Sequence, residues 1–235
     1  MKQIQLSHMI IQMYYLIMII GVLITTMAQG YITSKYNSTK QIMSKKHLSG
    51  REVARKILDS NGLKNVKIEE VQGTLTDHYD PRGKVVRLSS DIYQNTSLAS
   101  VSVASHECGH AIQDKEGYTF LRFRNSIVPV VNLCSKLGYV AIMIGLFASL
   151  LKLIWIGVVM ELVILLFQVV TLPVEFNASS RALVQIDKLG IVDKEEQSKC
   201  RGMLKAAALT YVAAVCTALL EIFRLVLIAR GSDRR

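Results

Sequence analysis

SLASVSVASHECGHAIQD, residues Ser97 to Asp114, decides how the rest of the chain is read. At its centre stands His106-Glu107-Cys108-Gly109-His110, a complete H-E-x-x-H. On a helix, residues four apart share a face, so His106 and His110 can present two imidazoles to one cation. Glu107, beside the first imidazole, is within reach of a water held by that cation and can act as general base. A helix is expected here because Asn95, Thr96 and Ser97 supply a polar N-terminal signal, small and apolar residues fill the first turns, and no proline intervenes. Neutral imidazole suits zinc, which lowers the pKa of water from about 15.7 towards 7. Gly109 and Ala111 keep this helix slim enough to pack closely on another. Cys108 points away from the histidines and reads as a small buried residue.

The surrounding composition places this helix in a membrane protein. The chain has 235 residues, 51% of them hydrophobic, and the apolar residues are clustered. Met9 to Met27 is an uncharged run of 19 residues, roughly 28 Å as a helix and enough to cross a bilayer. Leu137 to Leu151 and Leu153 to Leu172 are two more runs, with Lys152 expected at the turn between them. Ala206 to Ala229 is a fourth, interrupted by Glu221 and Arg224. The first run is longer than a signal-peptide core and reads as a retained anchor. The four cysteines show no paired spacing and read as reduced thiols.

The net charge of +10 does not point to nucleic acid, because basic and acidic residues alternate without aromatic interleaving. Positive-inside bias accounts for it. Lys35, Lys40, Lys45, Lys46 and Arg51 follow the first run, which only Lys2 precedes, so the following segment is expected in the cytoplasm. The expected layout is an anchor at 1–29, a cytoplasmic α+β unit at 30–125, a transmembrane hairpin at 126–172, a third-ligand helix and connection at 173–205, and a last transmembrane helix and tail at 206–235.

Within the α+β unit, Tyr31 to His47 reads as a polar juxtamembrane linker, either on anionic headgroups or simply solvated. Ser49-Gly50-Arg51-Glu52 is a capping box opening a helix that stops at Asn61-Gly62. Asn65 to Val71 alternates as a strand, and Lys84 to Leu88 is a second strand, expected as an edge on which substrate could pair. Between them Asp77-His78-Tyr79-Asp80-Pro81 reads as an Asx-type turn. His78 and Tyr79 in this turn, together with Arg181 later, are candidates for contacting substrate or stabilising the transition state. Helix capping is the reading for Asn95.

In the hairpin, Pro129 is expected as a kink, with Asn132 and Lys136 facing a protein or aqueous interior. Glu161 lies near mid-span, which makes it a candidate functional residue or a partner of Lys136 or Asn132. Pro173 is expected to end one helix, and Glu175 to open the next. A catalytic zinc keeps three protein ligands and one open position, so a third ligand is needed, and Glu175 is the candidate. Two apolar runs separate His110 from Glu175, so an even number of crossings returns the chain to the same face.

Asp77 to Pro81, Ser105 to Ala111, Pro173 to Ser179 and Ala206 to Ala214, in this order, resemble the YugP-type bacterial membrane zinc metallopeptidases. The resemblance implies His106, His110 and Glu175 as zinc ligands, Glu107 as catalytic base and a bacterial cell membrane location. The layout is similar, more distantly, to the HtpX and CAAX-protease group, in which an aspartate commonly follows the ligand glutamate by four residues; this chain has Ser179 there. The expectation is a mainly α integral membrane protein with about four transmembrane helices and a small α+β zincin-like catalytic unit on the cytoplasmic side. It would be an endopeptidase using one Zn2+, acting on a peptide or membrane-protein substrate. The rival is a non-catalytic membrane adaptor with a structural zinc, which would need a fourth protein ligand such as His78 or Asp80.

Overall fold

The computed structural model describes residues 2–232, with side chains for residues 12–230. The order of elements is α1 (Lys2–Lys40), α2 (Gly50–Ser60), β1 (Lys67–Val71), β2 (His78–Asp80), β3 (Val85–Ser89), α3 (Ser90–Gln94), α4 (Leu98–Lys115), α5 (Thr119–Phe147), α6 (Leu151–Lys188) and α7 (Lys194–Ser232). The protein is mainly helical with one small sheet. Two compact units emerge, one from Met1–Gln29, Phe123–Thr171 and Thr210–Arg235, the other from Gly30–Arg122 and Leu172–Leu209.

Among the described residues, four helices are long and apolar enough to cross a membrane, α1, α5, α6 and α7, and stretches of all four make up the first unit. Their exposed faces carry large apolar residues such as Leu16, Ile19, Leu133, Val140, Leu162 and Phe223. Such apolar side chains suit a hydrocarbon surrounding. The α5–α6 turn falls at Ala148-Ser149-Leu150, where Ser149 takes a φ of 55° and Leu150 N–H donates to the Gly145 carbonyl. Lys152 therefore lies inside the first turn of α6, one step later than expected. Asn132 and Lys136 are exposed. Glu161 instead lines a cavity with Glu221, Gln168, Thr25, Thr26 and Thr217, and Glu221 is paired with Arg224.

The second unit is built on α2 and α4. The Ser49 capping box closes in both directions, with Ser49 Oγ receiving Glu52 N–H and the Glu52 carboxylate receiving Ser49 N–H. Val53, Ala54, Ile57 and Leu58 recur on one face of α2 and are fully buried. They pack with Val101, Ala104, Cys108 and Ala111 of α4 and with Val86 and Leu88 of β3. Burying each large aliphatic contributes about 1.5–3 kcal/mol.

The sheet order is β1-β3-β2, with β1 parallel and β2 antiparallel to β3. The strand near Lys84 to Leu88 is thus central, not an edge, and both of its sides are already paired. That corrects the expected docking strand: the edges are β1 and β2. The stretch read as a turn also contains a strand, His78–Asp80, and the Asx turn follows it, Asp80 Oδ1 accepting from the backbone of Arg82 and Gly83.

Three more expectations give way. The supposed linker at Tyr31 to His47 is helical to Lys40, because Ile32, Tyr36 and Thr39 form a buried stripe at helical spacing. Three of its four lysines are partnered by oxygens within the protein: Lys40 with Asp91, Lys45 with Asp193, and Lys46 with the Gly190 carbonyl. Pro173 does not break α6, which runs through it to Lys188. Asn95 is no N-cap; it ends α3, and Ser97 caps α4 by accepting from Ser100 N–H at 3.1 Å.

Candidate metal centre

Helix α4 offers His106, Glu107 and His110, and the later part of α6 crosses it carrying Glu175. The crossing is close because Gly109 has no side chain. A Cβ there would meet the Ala178 carbonyl oxygen at 2.5 Å. The slim helix expected from Gly109 and Ala111 is therefore needed at this contact. Cys108, on the opposite side, is fully buried with Sγ 3.6 Å from the Ala54 carbonyl, as expected of a packing residue.

The crossing brings Glu175 Oε2 to 3.2 Å from His106 Nε2 and 3.7 Å from His110 Nε2. The two rings meet edge to face, at an interplanar angle of 86°. One ligand-capable atom from each of the three residues lies within 4.8 Å of the others. Donors 2.0–2.1 Å from a tetrahedral zinc stand about 3.3–3.4 Å apart, so the two nitrogens and the carboxylate oxygen fit that ion. Among the described residues, no fourth histidine, cysteine or carboxylate joins this group.

Electrostatics agree with a cation at that point. Burial would lower the His110 pKa, but the Glu175 carboxylate against its ring raises it overall. The same carboxylate would attract a metal cation, which binds the neutral ring in place of the proton. Glu107 is 7% exposed, the next residue after His106. Its charge acts on Asp77, whose own pKa is pushed up by burial first, with the Glu107 charge adding to it. Two hydrogen bonds from Ser89, N–H at 2.7 Å and hydroxyl at 3.1 Å, hold Asp77 in place.

A family profile described as "Putative neutral zinc metallopeptidase" matches residues 14–230. The chain belongs to this family. Among curated relatives, the "Putative membrane protease YugP" of Bacillus subtilis (strain 168) is 44% identical over 201 residues, 86% of this chain and 89% of the relative. No solved structure matches. The likeness to YugP-type metallopeptidases seen in the motifs is borne out.

In this member of the zinc metallopeptidase family, the other candidate residues fall in different places. His78 is exposed, its Nδ1 2.8 Å from the Thr76 carbonyl and its Nε2 3.5 Å from Arg87. Tyr79, on the other face of β2, donates to Asp114 Oδ2 at 2.7 Å, and that residue also pairs with Lys84. Burial first, then this carboxylate, hold the phenol firmly protonated. Asp80 pairs with Arg87. Arg181 donates to Asn177 Oδ1 at 2.7 Å and pairs with Glu116 at 2.6 Å.

Two residues to which the sequence assigned no role, Ser179 and Gln113, adjoin the imidazoles. Ser179 Oγ lies 3.2 Å from His106 Nδ1, occupying the place four residues after the glutamate. Gln113 Oε1 lies 2.9 Å from His110 Nδ1, and Asn177 stands behind Gln113. Helical spacing was the available signal: Gln113 is three residues after His110, and Ser179 four after Glu175.

Proposed function

We propose that this chain is a membrane-embedded, zinc-dependent endopeptidase. Its substrates are peptides or membrane-protein segments, and its work is membrane-protein processing or quality control. One observation carries the reading: two imidazoles and a buried carboxylate converge at zinc-ligand spacing, with Glu107 beside them. His106, His110 and Glu175 would hold one zinc, and three protein ligands leave the open position of a catalytic site. When bound, zinc supplies a Lewis acid that polarises a carbonyl and acidifies water. Glu107 takes the proton from the attacking water and passes it to the leaving amine. The absence of His78 and Asp80 from the cluster, both engaged with Arg87, weighs against a structural four-ligand zinc and the adaptor reading.

The substrate strand is assigned to β2. It is an edge of the sheet and packs on α4 through Tyr79, so a peptide paired with it would lie along the helix that carries Glu107. The active site faces the cytoplasm in this reading. The basic residues after the first apolar run support that side. The pairing of Lys45 with Asp193 supports a common side for the segments around them.

The test is zinc content and cleavage of an unstructured peptide by the purified protein, with and without chelator. Near-stoichiometric zinc and cleavage lost to chelator and restored by zinc are expected. Bound zinc without cleavage would favour the adaptor, and cleavage indifferent to chelator would end the metallopeptidase reading.

A further inference from the structure

Behind His110 the hydrogen bonds have a direction that chemistry alone dictates. Arg181 can only donate, so the side-chain atom of Asn177 that its Nε meets at 2.7 Å must be the oxygen. That oxygen also receives Gln113 Nε2 at 3.0 Å. A second anchor agrees independently: the Val174 backbone carbonyl can only accept, and Gln113 Nε2 reaches it at 2.8 Å. Both protons of the Gln113 amide nitrogen are thereby used. Its oxygen is left facing His110 Nδ1 at 2.9 Å, and an amide oxygen can only accept. His110 must therefore carry its proton on Nδ1, which leaves the Nε2 lone pair aimed at the point it shares with Glu175.

We infer that Gln113, Asn177 and Arg181 form a polar relay that fixes the ring orientation and tautomer of His110 for metal binding. The proposal rests on the zinc-site reading above. Arg181 is then a positioning residue, acting through two side chains. His106 is braced differently. The Ser179 hydroxyl at its Nδ1 can donate or accept, so it orients the ring without dictating the tautomer. Gln113 is fully buried, so water does not replace its bond when the side chain is removed. Residues that orient a ligating histidine in this way typically carry a ten- to hundred-fold effect on metal affinity, ~10–100-fold.

The experiment measures zinc affinity by chelator competition on the full-length protein in detergent, for the parent, Gln113→Met, Arg181→Met, Arg181→Lys and His110→Ala. It also reads histidine tautomers by nitrogen-15 NMR of the metal-free parent, above the imidazole titration range. Gln113→Met should weaken zinc ~10–100-fold. Arg181→Met should weaken it less, because the Val174 anchor remains, and Arg181→Lys should recover part of that loss. His110 should show the Nδ1–H form. Parent affinity in folded Gln113→Met, alongside its loss in His110→Ala, would overturn the relay while leaving the zinc site standing. Should Gln113→Met fail to fold, an Nε2–H form of His110 in the parent would overturn the relay by itself. Retention of zinc by His110→Ala would remove both the site and the relay.

Discussion

Adding one methyl at Gly109 tests what sets the dimensions of the metal centre. In Gly109→Ala the new carbon would lie 2.5 Å from the Ala178 oxygen, 3.1 Å from its carbonyl carbon and 3.2 Å from its Cα. A comfortable carbon–oxygen contact begins at about 3.3 Å, so α4 and α6 must part locally by about 0.8 Å. The obstacle is backbone, so no rotamer change relieves it. Overpacking costs about 1–3 kcal/mol, and the better helix propensity of alanine returns about 1 kcal/mol, for a net loss of about 0–2 kcal/mol. The effect on the site should be larger. His110 adjoins Gly109, and Glu175 lies one turn before Ala178, so the parting acts directly on the 3.2 and 3.7 Å contacts. A misplacement near 1 Å can cost on the order of 100-fold in rate. Zinc affinity by chelator competition, turnover of a quenched peptide and the thermal unfolding midpoint should therefore separate, activity collapsing while the midpoint moves little. Parent-like affinity and turnover would refute the argument that this helix crossing sets the site.

Other substitutions separate the roles at the centre. Glu107→Gln should bind zinc like the parent and lose about 100- to 10,000-fold in turnover, the usual cost of removing a general base; parent-like cleavage would remove Glu107 from that role. Glu175→Ala leaves two imidazoles and should lose zinc and activity together, so a zinc-replete variant would move the third ligand elsewhere. His78→Ala should keep its zinc, as metal analysis would show, because its ring is engaged with Thr76 and Arg87; metal loss would enlarge the ligand set. With Cys134 and Cys216 replaced, cysteines introduced at Lys45 and Lys194 should both be protected from an impermeant reagent outside intact cells. Labelling from opposite faces would break the shared-side topology.

The parts legible in the sequence were those written in short-range spacing. His106, Glu107 and His110 share one helix, the Ser49 box spans four residues, and the turn after Asp80 is local, so each could be read from chemistry alone. Pro173 misled because its ring is costly inside an isolated helix, whereas long apolar helices accommodate it where neighbouring groups satisfy the freed backbone. Tyr31 to Lys40 looked like a linker because only three of its residues form the buried stripe that keeps it helical. The β2 strand was hidden by its brevity among turn formers, and its pairing, which makes β3 central, is a long-range fact. The relay at Gln113 joins residues more than sixty positions apart, which no local pattern reveals.

The distance along the chain between the two halves of the centre bears on how the protein is made. His106 and Glu175 are 69 positions apart, and both arms of the α5–α6 hairpin lie between them. At synthesis rates of about 5–20 residues per second that interval is about 3 to 14 s, during which the histidine helix exists without its carboxylate partner. With the hairpin as a pair of membrane crossings, Glu175 can meet α4 only after both arms have been inserted. A ribosome-bound or half-inserted chain would thus carry an incomplete centre, and hydrolytic competence would arrive only with a correctly threaded polypeptide.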